Sequence, residues 1–518
     1  MPEPIFGRRI CLFDWLKRGA RKSYSPPKQD AGVTRLCKSL AENMIAIRGR
    51  LANSADLLSK ELCVSGLRLE LLTVEGMCNS SDLNKFILAP LMKLTLDDRT
   101  PDSFLSWARG ALLGSEQREI RTLEELFPAM MSGFAAILID GSEVGLVLGV
   151  QGFDFRSVGE PSSGVNIKGS REGFVEVVRV NMSMLRRRIK SPDLVFELMQ
   201  IGNRSRTDVC VAYMQGTVSE ELLRRVKSRL RGVNMDVLLD SGYLKPFLEP
   251  KRPSMFDGVG CTERPDIVCA KLREGRIAVL VDGTPFALIV PFLFSEHFQT
   301  LDDYSQRPLF VFFMRMLRYF SFFLSMLLPG LYVAVVTFHP ELLPEALLFN
   351  ISTVEEGTPF SLMAETLAIH IIYEIMREAG LRLPRPIGHA VGIVGALVVG
   401  DAAVSSGLIS APMIMIVALT ALSALVVPSL YESATLLKFA FIIFGGLWGI
   451  YGVTLLFAAV LLDIFSLNVG GVPAGAPVSP TGLYAWRDVF LRVSWRSLAQ
   501  ENLRVQDVPG SELNDRQL

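Results

Sequence analysis

Apolar positions along the chain change character partway through. The first half mixes apolar and polar residues as a water-exposed protein does, whereas Phe310 to Phe465 repeatedly offers apolar runs of membrane-spanning length. The sharpest is Leu436–Leu462, LLKFAFIIFGGLWGIYGVTLLFAAVLL, with one charge, Lys438, near its start. About 20 helical residues cross a bilayer core. Four crossings are expected: Phe320–Phe338, bent at Pro329; the glycine-rich Ile387–Ala403; Leu408–Pro428; and Leu436–Leu462. Glu274–Phe294 is ambiguous. Its first half reads as two short strands around Asp282–Gly283–Thr284, and Pro285 and Pro291 oppose a regular helix, yet Ala278–Phe294 remains open as a fifth crossing.

The polar half mixes two periodicities. Ala41–Leu72 has irregular helical patterning, with Asn53, Ser54 and Asp56 as a local cap region. Phe134–Leu148 reads as a hairpin whose turn is Asp140–Gly141–Ser142, making Asp140 a turn residue rather than a catalytic acid. Ser170 is placed as the cap of a helix with Phe174, Val177, Val178, Met182 and Leu185 on its apolar face. Arg186, Arg187, Arg188 and Lys190 then form a dense positive surface, either solvated or facing lipid headgroups, a partner chain or another domain. Asp208–Tyr213 reads as a strand, Ser219–Leu230 as a helix, and NMDVLLDSGYLKPFL as another strand and turn.

The fold class is therefore an α/β soluble N-terminal region in two subdomains plus a multi-span α-helical membrane domain. The expected division is a basic, variable segment at 1–50 and soluble α/β subdomains at 51–160 and 161–270. A membrane-adjacent hairpin with an interfacial segment follows at 271–307, then the multi-span helical domain at 308–465 and a C-terminal tail at 466–518. Within the tail, Gly470–Pro480 is a bend-rich connection, and a short helix is expected near Asp488–Leu498.

Between the first two spans, Phe360–Ala379 predicts an amphipathic helix carrying Glu365, His370, Glu374 and Glu378. The i,i+4 spacing of His370, Glu374 and Glu378 places them on one face. No metal-binding signature is complete there, so a helix surface or an intersubunit polar contact is the expected role. Pro384 and Pro386 stop the helix. Asp401 is either an interfacial turn residue or a pore-lining acid, since a carboxylate inside a membrane is costly and functional. Gly392, Gly395, Gly445 and Gly449 are candidates for close helix packing. Glu374 and Arg377 are candidates for gating or subunit contacts.

Composition narrows the classes. Among 518 residues, 53 basic and 53 acidic side chains give zero formal charge, which argues against bulk nucleic-acid binding. Seven cysteines, widely spaced in the polar half, suit free thiols in a reducing compartment. The basic N-terminus has no apolar core of signal-peptide length; a surface helix at Ile10–Leu16 or a loose tail is expected. There is no phosphate loop, dinucleotide fingerprint, HExxH or GxSxG, so an enzyme is not expected and neither is a cofactor. With four crossings, both termini face the cytoplasm, in keeping with Arg315 and Arg318 before the first span and Arg487, Arg492, Arg496 and Arg504 after the last.

Several stretches together resemble the GerA family of spore germinant-receptor A subunits and their sporulation-associated paralogues. They are NMSMLRRRI at 181–189, ERPD at 263–266, EGRIAVLVDGTPFAL at 274–288, the Phe-His-Pro-Glu run at 338–341, EEGTPF at 355–360, MREAGLRLPRPIG at 376–388 and VGIVGALVVGDAAVSSGLISAP at 391–412. The resemblance implies a multi-pass protein of the spore inner membrane acting in nutrient-triggered germination. It implies a homo-oligomer that works with a transporter-like B subunit and a lipoprotein C subunit, and contributes to a germinant-gated ion channel. A non-conducting assembly scaffold, or a paralogue associated with a late-sporulation channel, is the competing class. Asp401 and His370 both depart from the family's usual residue character at those positions.

Overall fold

The computed structural model describes residues 35–513 apart from breaks at 97, 113–115, 153–158, 160, 162–168, 356, 384–399, 482–484, 491 and 494–503. Strands β1 (Leu57–Val64), β2 (Leu67–Val74), β3 (Gln117–Ile120), β4 (Phe134–Ile139) and β5 (Gly145–Gly149) form an antiparallel sheet in the order β1-β2-β4-β5-β3. Helices α1 (Leu40–Arg50), α2 (Pro101–Ala111) and α3 (Leu123–Met130) cover it. Strand alternation divides β4 between two cores: Ala136 and Leu138 meet Ile47, Leu126 and Phe127, while Ala135, Ile137 and Ile139 meet Phe104 and Ala108. Burial on both faces explains why β4 reads as an unbroken apolar run.

A second antiparallel sheet contains β6 (Leu194–Ile201), β7 (Thr207–Met214), β8 (Gly260–Thr262), β9 (Ile277–Val281) and β10 (Ala287–Val290) in the order β6-β7-β9-β10-β8. Its helices are α4 (Val178–Arg188), α5 (Glu220–Arg231) and α6 (Pro265–Arg273). Renumbered from its own first strand, this order is that of the first sheet. The likeness extends to single contacts. Asn43 brackets the Cys37 backbone, accepting from its N–H at 2.8 Å and donating to its carbonyl at 2.7 Å. Asn181 does the same to Val175 at 2.9 and 2.6 Å. The sequences align without a gap at the β4–β5 and β9–β10 hairpins, AILIDGSEVGLVL against AVLVDGTPFALIV. The head is thus two copies of one unit.

Several expectations are corrected. Residues 57–74 are a β-hairpin, and helix is confined to Leu40–Arg50. Helix α4 begins at Val178 with Val177 at its N-cap; Ser170 instead accepts a hydrogen bond from Arg188 at 2.7 Å. Arg186, Arg187 and Arg188 do not make a solvated basic surface. Arg186 is fully buried on Asp56 at 2.8 Å, and Arg187 and Arg188 pair with Glu172. Residues 234–248, expected as a strand and turn, contain no strand: Ser241–Leu244 is a 3-10 turn and Lys245–Leu248 a short helix. Ala278–Phe294 does not cross a membrane: β9 and β10 lie inside the second sheet, which therefore runs past residue 270.

The C-terminal part is helical: α7 (Pro308–Phe338), α8 (Glu345–Glu355), α9 (Leu362–Arg382), α10 (Ala411–Leu425) and α11 (Tyr431–Ser466). Among the described residues, two helices are long and apolar enough to span a membrane, α7 and α11 with its preceding turn. Helix α10, expected to cross, has 15 residues. Most of Ile387–Ala403 lies outside the described residues, as do Ile10–Leu16, Gly392 and Gly395. In the tail, Ala485–Asp488 is a 3-10 turn, and most of the helix expected at Asp488–Leu498 falls outside the described residues.

One apolar cluster joins head, spans and tail. Val209, Val279 and Leu288 of the second sheet, Leu222 and Val226 of α5, Phe322 and Met326 of α7, Phe441 and Val460 of α11, and Val469 and Leu513 of the tail belong to it. The tail enters through a small hairpin, β11 (Asn468–Val469) with β12 (Val472–Pro473).

Candidate functional sites at the helix junctions

The two long helices approach backbone to backbone. A Cβ added at Gly330 of α7 would collide with the Phe441 carbonyl, and one at Gly445 of α11 with the Gly330 carbonyl. Only hydrogen at both positions permits this crossing. Four residues further on, Gly449 adopts φ 61° and ψ −148°, interrupting α11 where Phe338 and His339 close over it. That left-handed conformation favours glycine.

At the N-terminal end of α7, Asp303 is almost wholly buried and binds two guanidiniums, Arg315 Nε at 3.0 Å and Arg318 Nη1 at 2.8 Å. Arg315 also pairs with Asp488 of the tail at 3.0 Å, and Tyr304 donates to Asp488 at 2.7 Å. Arg492 donates to the Asp303 carbonyl at 2.9 Å. Burial alone would raise the Asp303 carboxyl, but Arg318 and Arg315 outweigh it and hold it below the usual carboxylate range. This cluster ties the end of the head, the start of the first span and the tail together. Arg315 and Arg318 therefore pack against the end of the head through Asp303.

A second cluster lies between α9 and α11. Glu374 accepts from Lys438 Nζ at 2.9 Å, from Arg377 Nε at 2.9 Å and from the Tyr431 hydroxyl at 2.8 Å. The Arg377 guanidinium lies 4.1 Å from the Tyr431 ring centroid. Lys438, the lone charge in the longest apolar run, is buried. Glu374 and Arg377 are thus neighbours within one chain, not free on a helix surface. His370 Nδ1 donates to the Thr366 carbonyl at 2.9 Å, on the buried side of α9. Asp401 is exposed on a helical turn at 400–405, apart from this cluster.

Sequence reasoning missed Gly330, Asp303, Asp488, Tyr431 and the partner of Lys438. The one available signal was Lys438 itself, because a lone cation in an apolar helix calls for a partner. Among the described residues no group of three or more His, Cys, Asp or Glu is placed to hold a metal ion.

Comparison with known proteins places this architecture. The family described as Bacillus/Clostridium GerA spore germination protein matches residues 46–503. Spore germination protein KA of Bacillus subtilis (strain 168) is 37% identical over 462 residues, covering 88% of this chain and 85% of that protein. Spore germination protein B1 of the same organism is 33% identical over 458 residues, covering 88% and 94%. An uncharacterized membrane protein, YfkQ, from that strain is 35% identical over 429 residues, covering 82% and 83%. The crystal structure of the N-terminal domain of the A subunit of the Bacillus megaterium spore germinant receptor GerK3 is 29% identical, covers 51% of this chain and 98% of that one, and superposes with a TM-score of 0.40.

Proposed function

The chain belongs to the GerA family of spore germination proteins, and from that premise we propose that it is the A-type membrane subunit of a nutrient-responsive germination receptor, contributing helices to a germinant-gated ion channel. The family is one of receptors, and the protein is not an enzyme. Its membrane is the spore inner membrane, which it crosses several times, and its partners are further copies of itself, a transporter-like B subunit and a lipoprotein C subunit.

The observation that carries this reading is the continuous core from the second sheet into both long helices. A change of state at the head reaches the spans only if the two ends have different preferred arrangements, and a shared core moves as a unit. The tail touches the head directly, with Arg225 3.1 Å from Glu512 and the Val505 N–H donating to the Glu274 carbonyl at 2.8 Å. Contact between head and tail supports an even number of crossings, with both on the cytoplasmic side. We assign the gating contact to Glu374 and Arg377; the bonds of Glu374 to Lys438 and Tyr431 hold α9 against α11, and Arg377 lies over the Tyr431 ring. Exposed Asp401 is available to a neighbouring subunit. Gly445 and Gly449 permit the close crossing and the break in α11; the same packing role is proposed for Gly392 and Gly395.

Purified complexes reconstituted in vesicles test the reading. Nutrient addition should open a monovalent-cation conductance that Lys438→Met alters in its nutrient dependence. An assembled complex that binds nutrient but does not conduct would leave the non-conducting scaffold as the function.

A further inference from the structure

A second polar group, separate from the Glu374 cluster, sits between the helices with no cationic partner among the described residues. Glu365 of α9 is 1% exposed. Its Oε1 accepts from the Ser410 N–H at 2.7 Å and from the Ser410 hydroxyl at 2.8 Å. Its Oε2 has no hydrogen-bond partner among the described residues. Glu355, the last residue of α8, and Tyr332 of α7 lie within electrostatic range of this carboxylate. Glu355 Oε1 and the Tyr332 hydroxyl are likewise enclosed and unpartnered among the described residues. The chain approaches itself here, since a Cβ on Gly407 would stand 3.7 Å from the Gly357 carbonyl.

A buried carboxylate is costly unless it is paired or coordinated, and two of them close together repel. No group among the described residues satisfies these three oxygens. An atom held among them would. The donors are carboxylate and hydroxyl oxygens with no sulfur or imidazole, a set that suits hard cations and not soft metals. We propose that Tyr332, Glu355 and Glu365, backed by Ser410, form a binding site for a hard cation of the alkali or alkaline-earth class. The cation joins α7, the α8–α9 connection and the turn leading into α10. The site lies within one chain, and its occupancy does not depend on whether the assembled complex conducts.

The test uses the full chain purified in detergent and exchanged into N-methyl-D-glucamine chloride. Sodium, potassium and calcium chlorides are titrated separately at constant ionic strength and pH while the thermal unfolding midpoint is followed. At least one cation should raise the midpoint saturably, and which one does so assigns the class. Glu365→Gln should abolish the response. Should that variant not fold, Tyr332→Phe keeps the ring and removes one oxygen; it should weaken apparent affinity about tenfold, the cost of one bond to a charged group. A wild-type midpoint indifferent to cation identity, a midpoint that responds to pH alone, or an undiminished response in the variants would overturn the site.

Discussion

Asp140 and Asp282 do the same work in the two halves of the head. Asp140 Oδ1 accepts from the Leu40 N–H, the first of α1, at 3.2 Å, and Asp282 Oδ1 accepts from the Val178 N–H, the first of α4, at 3.0 Å. The glycines that follow also match: Gly141 N–H donates to the Lys38 carbonyl at 2.8 Å and Gly283 N–H to the Glu176 carbonyl at 2.7 Å. Each hairpin turn thus caps the helix that opens its own unit, fixing sheet and helix in register.

The equivalence predicts matched losses. Asp140→Ala and Asp282→Ala should each destabilise the head by about 1 kcal/mol, the usual cost of losing a helix cap. The Asn variants retain an acceptor oxygen and should stay near wild type. Thermal unfolding of the full chain in detergent reads all four; Asn variants as damaged as Ala variants would mean that charge, not the hydrogen bond, matters.

At the crossing of the long helices, Gly330→Ala and Gly445→Ala should each cost about 1–3 kcal/mol through overpacking, because backbone carbonyls cannot move aside as side chains do. Gly400→Ala is the control. A Cβ there meets Ile414 Cδ1 at 4.0 Å, ordinary contact. Thermal midpoints of the three variants in one detergent decide the matter. Equal midpoints would show that α7 and α11 do not meet at these glycines.

The hairpins, α5 and the long apolar helices were legible because each carries its own period or turn chemistry. Leu57–Val74 was not. Its leucines, glutamates and lysine favour helix locally, and pairing with β4 overrides that preference. The duplication was open to reading, since IDGS and VDGT occupy equivalent hairpins, but a single hairpin explains each motif by itself. Arg186 could not be placed from sequence. Contact with another domain was one of the roles open to the run of arginines, but only the fold names Asp56 of the other unit as the partner. In the connector, the shared helix face of Glu374 and His370 was visible, whereas Lys438 and Tyr431 come from an element far along the chain.

The Arg186–Asp56 pair joins the two units and predicts strong non-additivity. Asp56→Ala strands a buried guanidinium that also donates to the Ser191 and Leu194 carbonyls, and should cost about 3–5 kcal/mol. The double variant Asp56→Leu with Arg186→Met removes both charges and should recover much of that loss. A double-mutant cycle from thermal unfolding checks it. Additive losses would show that the pair is not energetically coupled.

His297 gives the head–membrane junction a pH dependence of defined sign. Its ring packs edge-on against Phe292 at a 4.9 Å centroid distance, in the turn before the first span. Burial pushes its pKa down to about 4, against the opposing pull of Asp257 and Glu296. In the unfolded chain the group titrates near 6.5. Between those values the unfolded state binds more protons, so stability rises with pH through the window. It is fully present above the unfolded pKa and is lost as pH falls. Relative to His297→Phe, which cannot titrate, the wild type should lose about 2 kcal/mol on going from neutral pH to pH 5. Thermal midpoints of the two proteins across that range measure the difference directly. Parallel curves would show that His297 is solvated or charged in the folded protein, and that the turn between head and membrane is not packed as found.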